Sequence, residues 1–159
     1  MPMRIGTQMP TLEGASQWFN GSQVEAETEA KGQPTLVHFW SVSCGICKDN
    51  LVRVAEWRDL RRSQGLRVIA VHMPRYEADT DVEAVEEAIA TYKITEACAV
   101  DNQGLLRQSF QNDQGYVPAY YLFDGEGKLR SFAAGERGLD MLSSALERVM
   151  SQIQPAQTT

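Results

Sequence analysis

Two cysteines spaced three positions apart are the residues of this sequence best suited to chemistry. The motif Cys44-Gly45-Ile46-Cys47 follows an apolar run at 35–40 and opens a stretch with apolar residues every three or four positions. The run predicts a buried strand, and the stretch predicts an amphipathic helix. A cysteine at a helix start lies beside unpaired N–H groups and the positive end of the helix dipole, which stabilise a thiolate. The pair therefore predicts thiol–disulfide exchange.

The two cysteines are predicted to have different roles. At its ordinary pKa of ~8.5, a thiol is only about 3% thiolate at neutral pH, so stabilisation at the helix start matters for reactivity. We expect Cys44 to be the attacking thiol. Cys47 lies one turn further along, gains less from the dipole and is expected to be more buried. It is predicted to attack the mixed disulfide and release the product.

A zinc site is the alternative interpretation of the motif. A CxxC pair is half of a zinc ribbon, but the chain has no second pair and only Cys98, His38 and His72 as further soft ligands. Cys98 lies between two alanines in a predicted strand, which favours a small core residue. We predict no metal and no cofactor.

Composition limits the classes of partner and the location. The chain has 159 residues, 43% of them hydrophobic, which suits one domain with its own core. A net charge of −6 argues against nucleic acid or an acidic membrane surface as partner. No run of 18 apolar residues predicts a membrane span, and the first residues lack the apolar core of a secretory signal. With only three cysteines, the sequence predicts a cytoplasmic protein that begins at its own methionine; a trimmed leader is the alternative.

Strands and helices alternate along the chain, which predicts an α/β domain over 1–150 and a loose tail at 151–159. Residues 1–34 are expected to be irregular, with short strands or turns near Leu12 and Trp18. Ser41 or Ser43 is expected to cap the helix of the cysteines, and Thr80 with Glu83 forms a capping-box pattern for the next helix. The predicted strands are 35–40, 66–72, 97–100, 117–123 and 128–133, and the predicted helices are 44–63, a segment opening at 80, 104–111 and 138–150.

The segment Leu36-Val37-His38-Phe39-Trp40-Ser41-Val42-Ser43-Cys44-Gly45-Ile46-Cys47 resembles the active-site strand and helix start of thioredoxins. The α–β unit near 80–100 and the run 117–124 extend the resemblance to the TlpA/ResA-like branch of thiol–disulfide oxidoreductases. The runs 71–75 and 117–121 are most similar to its YkuV type. The resemblance covers about 5–150. It implies a thioredoxin-like fold, with a central mixed sheet flanked by helices and an inserted α–β unit.

The resemblance also implies roles for single residues. Pro118 matches a cis-proline that faces the cysteines, and Val117 would offer its backbone to the substrate. Trp40 matches a tryptophan that flanks the site. His38 stands where thioredoxins carry a buried aspartate that assists proton transfer at the resolving cysteine. A histidine can transfer that proton, and a satisfied core histidine is the equal alternative.

Departures from the family separate the competing functions. ResA-type relatives carry a glutamate where this chain has Asn50, so their cytochrome-maturation role does not carry over. A peroxidase of this fold would need a proline five residues before the reactive cysteine, where this chain has Phe39. A non-enzymatic binding module commonly loses one cysteine, and both are present here. We expect a monomeric disulfide reductase that acts on protein or low-molecular-weight disulfides. An electron donor that the sequence does not identify would reduce its cysteine pair again.

Overall fold

The computed structural model describes residues 2–152, in which six strands form one mixed sheet. The strand order is β1-β4-β3-β2-β5-β6. Strands β2, β3 and β4 run parallel, whereas β1, β5 and β6 each pair antiparallel with a neighbour. The strands are β1 Gln17–Phe19, β2 Thr35–Trp40, β3 Arg67–His72, β4 Cys98–Val100, β5 Ala119–Phe123 and β6 Leu129–Ala134.

Strand β2 is the centre of the sheet. All six of its residues are buried, as expected for a strand covered on both faces. Because side chains alternate along a strand, Val37 and Phe39 join the core on one face, while Leu36 and Trp40 pack on the other. His38 belongs to the second face. The strand predicted at 35–40 is confirmed at both ends.

Helices cover both faces of the sheet, so the predicted α/β architecture is confirmed. Helices α2, α3 and α5 contribute to the cores beside Leu36 and Trp40, and α1 and α4 contribute to the core beside Phe39. The inserted α–β unit is α3 followed by β4. The helices are α1 Gln23–Ala30, α2 Gly45–Arg61, α3 Val82–Thr91, α4 Leu105–Ser109 and α5 Gly138–Ser151, with short 3-10 helices at Arg62–Gln64 and Glu77–Thr80.

Helix α1 lies in the segment that was expected to be irregular, so this expectation is wrong. Only Ala26 of its eight residues is buried. The helix therefore lacks the apolar stripe by which the other helices were predicted. Its start does carry a signal, since the Ser22 hydroxyl accepts the Glu25 N–H at 3.2 Å. The spacing of Ser22 and Glu25 is that of a capping box. The strand expected near Trp18 is confirmed as β1.

The capping box predicted from Thr80 and Glu83 is also wrong. Asp81 is the N-cap of α3, and its carboxylate accepts the N–H groups of Glu83 and Ala84. The Thr80 hydroxyl instead donates to the Glu77 carbonyl within the preceding 3-10 helix. A carboxylate at the N-cap position also gains from the helix dipole.

The end of the chain is described as far as residue 152. Helix α5 continues to Ser151, and the rest of the predicted tail lies outside the described residues. Within residues 2–152, no helix combines the length and apolar character that crossing a membrane requires.

Replacing Asp81 by alanine is expected to lower the free energy of unfolding by about 1 kcal/mol, because two N–H groups of α3 lose their acceptor. Thr80→Ala is the matched control and should change stability by less than about 0.5 kcal/mol, since its bond is exposed. Urea unfolding followed by circular dichroism measures both variants. A larger loss for Thr80→Ala than for Asp81→Ala would restore the original capping assignment.

Candidate active site

Cys44 and Cys47 lie where β2 ends and α2 begins, at the carboxyl edge of the parallel strands. They form a disulfide bond, with 5.2 Å between their Cα atoms. Cys44 itself is the N-cap of α2, and its sulfur accepts the Cys47 N–H at 3.1 Å. The prediction that Ser41 or Ser43 caps this helix is therefore wrong. Negative charge on the Cys44 sulfur would meet this N–H and the positive helix end.

Both cysteine residues are nearly closed to solvent. Cys44 is 4% exposed and Cys47 is 1% exposed. The intervening Ile46 is 43% exposed. Ile46 is thus the exposed side chain between two buried cysteines.

A cis-proline loop faces Cys44. The Val117–Pro118 peptide bond is cis, as the resemblance implies, and the Val117 carbonyl oxygen lies 3.8 Å from the Cys44 sulfur. The side-chain amide of Asn112 holds the loop, because its oxygen accepts the Tyr116 N–H at 2.9 Å and its nitrogen donates to the Tyr116 carbonyl at 3.0 Å. The loop therefore keeps its backbone beside the reactive sulfur.

Trp40 and His72 support the cysteines from inside the molecule. Trp40 has no exposed surface and packs in one cluster with both cysteines. Its ring meets the His72 ring edge-on, with 4.9 Å between centroids. His72 Nε2 accepts the Val42 N–H at 3.1 Å. Burial lowers the pKa of His72 to about 4, although nearby Asp79 favours its protonated form, so the ring is neutral at pH 7.

Asp79 holds the loop that leads into Cys44. One carboxylate oxygen accepts the hydroxyls of Ser41 at 3.0 Å and Ser43 at 2.8 Å, together with the backbone N–H groups of Arg75 and Tyr76. Burial raises the pKa of Asp79, but these bonds outweigh it and the pKa lies below its usual value. Asp79 was not predicted from the sequence, because an aspartate in an exposed stretch of chain has no periodic signal.

His38 is buried and ends in an ion-paired network. Its Nε2 lies 2.7 Å from a carboxylate oxygen of Glu96, and the other oxygen accepts a bond from Arg58 at 2.6 Å. Burial raises the pKa of Glu96, but the bonds from His38 and Arg58 outweigh it and hold the pKa below its usual value. Neither Glu96 nor Arg58 was predicted. The available signal was a glutamate just before a buried apolar strand.

Cys98 is a core residue, as predicted. It is a free cysteine with no exposed surface. Burial raises the pKa of its thiol to about 12, so it remains protonated at neutral pH.

A cysteine pair that opens a helix on a mixed sheet, beside a cis-proline loop, defines a thioredoxin-fold thiol–disulfide oxidoreductase. The chain belongs to the AhpC/TSA family, which matches residues 5–132. It is 43% identical over 150 residues to the thiol-disulfide oxidoreductase YkuV of Bacillus subtilis, covering 94% of this chain and 99% of that one. It is 24% identical to the thiol-disulfide oxidoreductase ResA of the same organism, over 88% of this chain and 72% of that one.

The fold agrees with these relatives. A solution structure of a thioredoxin-like protein in its oxidised form superposes with a TM-score of 0.83 at 43% identity, covering 94% of this chain and 99% of that one. The predicted fold and the resemblance to the TlpA/ResA-like branch are thereby confirmed. The chain is a thiol–disulfide oxidoreductase with the Cys44–Cys47 pair as its redox centre.

The neutral state of His72 predicts a loss of stability in acid. The folded pKa of about 4 lies below the ordinary value of 6.5, so the unfolded chain binds the proton more readily. Stability from this group is complete above about pH 6.5 and falls as pH decreases to about 4, by about 3 kcal/mol in all.

The variant His72→Gln tests this prediction, because its side-chain oxygen can still accept the Val42 N–H but does not titrate. Urea unfolding of the oxidised protein between pH 4 and 7 should show a much flatter pH dependence for the variant. An unchanged dependence would assign the acid sensitivity to other groups.

Proposed function

We propose that the chain is a cytoplasmic disulfide reductase in which Cys44 attacks the substrate and Cys47 resolves the mixed disulfide. The bond from the Cys47 N–H to the Cys44 sulfur carries this proposal, because it stabilises negative charge on Cys44 and on no other thiol of the described chain. The slightly greater exposure of residue Cys44 than of residue Cys47 supports the same roles.

The reaction proceeds in two exchanges. The Cys44 thiolate attacks one sulfur of a substrate disulfide, forms the mixed disulfide and displaces the other substrate sulfur as a thiolate. Cys47 then loses its proton and attacks the Cys44 sulfur, which forms the Cys44–Cys47 bond and breaks the bond to the substrate. The displaced thiolates take up protons. The substrate gains two electrons, the chain loses two, and a dithiol donor restores the reduced pair.

Substrate recognition would use the surface around Cys44. The Val117 backbone beside the sulfur can pair with an extended substrate segment. Ile46 and Tyr116 are exposed apolar side chains next to the cysteines and to Val117. Trp40 has no exposed surface. It would therefore support the cysteines by packing against them in the core rather than contact the substrate.

His38 would accept the proton of Cys47. Along α2, Cys47, Leu51 and Val54 lie on one face, and Cys47 shares a core cluster with Trp40 whereas Val54 shares one with Leu36. His38 lies between Trp40 and Leu36 on the same face of β2. The helix therefore passes over His38, between Cys47 and Val54.

Location and direction of electron flow form one proposal. Few cysteines, one of them a buried free thiol, suit a reducing compartment. In such a compartment the low reduction potential of the glutathione pool keeps exposed cysteines in the thiol form, so the pair would act as a reductant. We expect a monomer, which sedimentation can test.

The proposed roles predict which cysteine variant traps a substrate. Cys47→Ser should accumulate a stable mixed disulfide at Cys44 when the reduced protein meets glutathione disulfide, because no thiol remains to resolve it. Cys44→Ser should form little adduct, and Cys98→Ala should behave as the parent protein. Intact mass measures all three. Preferential trapping by Cys44→Ser would reverse the roles, and catalytic consumption of hydrogen peroxide would favour a peroxidase.

The reduction potential of the pair tests the direction of flow. Equilibration in graded thiol–disulfide buffers, followed by alkylation and mass measurement, should give a two-electron transition at about −270 mV or lower. A value of about −180 mV or higher would identify an oxidant or isomerase and contradict the cytoplasmic location.

A further inference from the structure

The His38–Glu96–Arg58 network sits in a place where ionised groups are costly. His38 is 1% exposed and Glu96 is 8% exposed. A buried ion pair gives little net stability compared with apolar packing of similar volume. Stability alone therefore does not account for the buried carboxylate of Glu96, which contacts Arg58 on the helix that carries the cysteines.

The carboxylate determines which nitrogen of His38 carries the proton. Glu96 is ionised at neutral pH because its pKa lies below its usual value, so both of its oxygens are acceptors. The 2.7 Å contact with His38 Nε2 then requires an N–H on that nitrogen. In the neutral ring, Nδ1 is left as the base.

A cavity connects the far side of this network to solvent. It has a volume of about 300 Å³, and Glu96 and Arg58 form part of its wall. The exposed side chains of Glu25 and Asp59 stand at its rim. Residues 66–69, at the start of β3, also line it. Since β2 and β3 are parallel, the cavity lies at the opposite edge of the sheet from the cysteines.

We propose that Glu96 is a positioning residue for the resolving step, and that this cavity is the route by which the proton taken from Cys47 reaches solvent. The proposal rests on the proposed roles of Cys47 and His38. It adds to them the Glu96 carboxylate, which orients His38, and a path by which the proton reaches solvent without passing the bound substrate.

The proton balance is simple. Cys47 gives its proton to His38 Nδ1 as its sulfur attacks Cys44, and the resulting imidazolium is held by the Glu96 carboxylate through Nε2–H. The Nε2 proton then passes by Glu96 to solvent in the cavity. The ring returns to its Nε2–H form when Nδ1 loses its proton and Nε2 regains one, so that one proton in all reaches solvent, and the released substrate thiolate takes one from solvent. The disulfide exchange supplies all electrons.

Several other charged or titratable groups surround the pair and enter its pH dependence. They include Glu25 and Glu29 on α1, Arg58 and Asp59 on α2, Arg62 after it, Arg67 on β3, Cys98 on β4 and Tyr120, which pairs with His38 from β5. Arg58 donates to Glu96 and Asp59 at once, so it remains paired when Glu96 is replaced.

The two exchange steps can be followed in one absorbance trace. Reduced protein mixed with an aromatic disulfide, 5,5′-dithiobis(2-nitrobenzoate), releases one coloured thiolate when the mixed disulfide forms and a second when Cys47 resolves it. Glu96→Gln should leave the first phase unchanged and slow the second about tenfold at pH 7, as loss of an orienting carboxylate does elsewhere. The difference should shrink as the pH rises, because hydroxide then competes with His38 for the Cys47 proton. Glu87→Gln, an exposed glutamate on α3, should match the parent protein.

A second variant tests the route itself. Glu96→Ala opens the cavity toward His38, and added formate should restore the rate of the second phase in a concentration-dependent way. Chloride at the same ionic strength should not. Rescue by formate requires that a small carboxylate reaches His38 from solvent, which a merely structural role of Glu96 would not produce.

Three outcomes overturn the inference. They are an unchanged second phase in Glu96→Gln, equal slowing of both phases at every pH, or failure of formate to rescue Glu96→Ala. The variant His38→Ala separates this failure from failure of the proposed function. If His38→Ala slows the second phase and Glu96→Gln does not, only the role of Glu96 falls. If His38→Ala changes neither phase, the proton acceptor of the proposed function falls as well.

Discussion

The structure depends on one junction, where the central strand ends and a helix begins with a cysteine as its cap. An N-cap side chain normally offers oxygen to the first N–H groups of the helix. Here a sulfur takes that position, and the N–H that it accepts belongs to the second cysteine. This hydrogen bond starts the helix and stabilises charge on Cys44, while the disulfide joins the two sulfurs. Strand β2 must be central and rigid for this junction to hold its geometry.

Two polar groups in the interior protect this junction. Asp79 ties the approach to Cys44 with four bonds to a single oxygen, and His72 takes the Val42 N–H. His72 is the last residue of β3 and Asp79 lies in the chain that follows it, so the strand beside β2 also leads to the groups that support its loop. Since parallel strands gather their carboxyl ends at one edge, support and reactive groups come together without long loops.

The sequence predicted what short-range patterns encode. The central strand, the cysteine pair and the amphipathic helices have apolar periodicity or local motifs, and each was predicted close to its observed bounds. Helix α1 was missed because it buries little and has no apolar stripe. The cap of α3 was misassigned by one residue, because Thr80 and Asp81 are both good caps and only the path of the chain decides between them. Glu96 and Arg58 are 38 residues apart, and no local pattern brings them to His38.

The burial of Cys98 bears on how the chain acquires its single disulfide. Three cysteines permit three different pairings in an unfolded chain, and only one of them is the redox centre. In the folded protein Cys98 is enclosed on β4, between β1 and β3, with a thiol that does not ionise near neutral pH, so thiolate attack from that position is suppressed. The burial of Cys98 in the folded core therefore favours the Cys44–Cys47 pairing over the two pairings that involve Cys98. A variant that loosens the packing around β4 would expose the chain to disulfide scrambling even with the active-site motif intact.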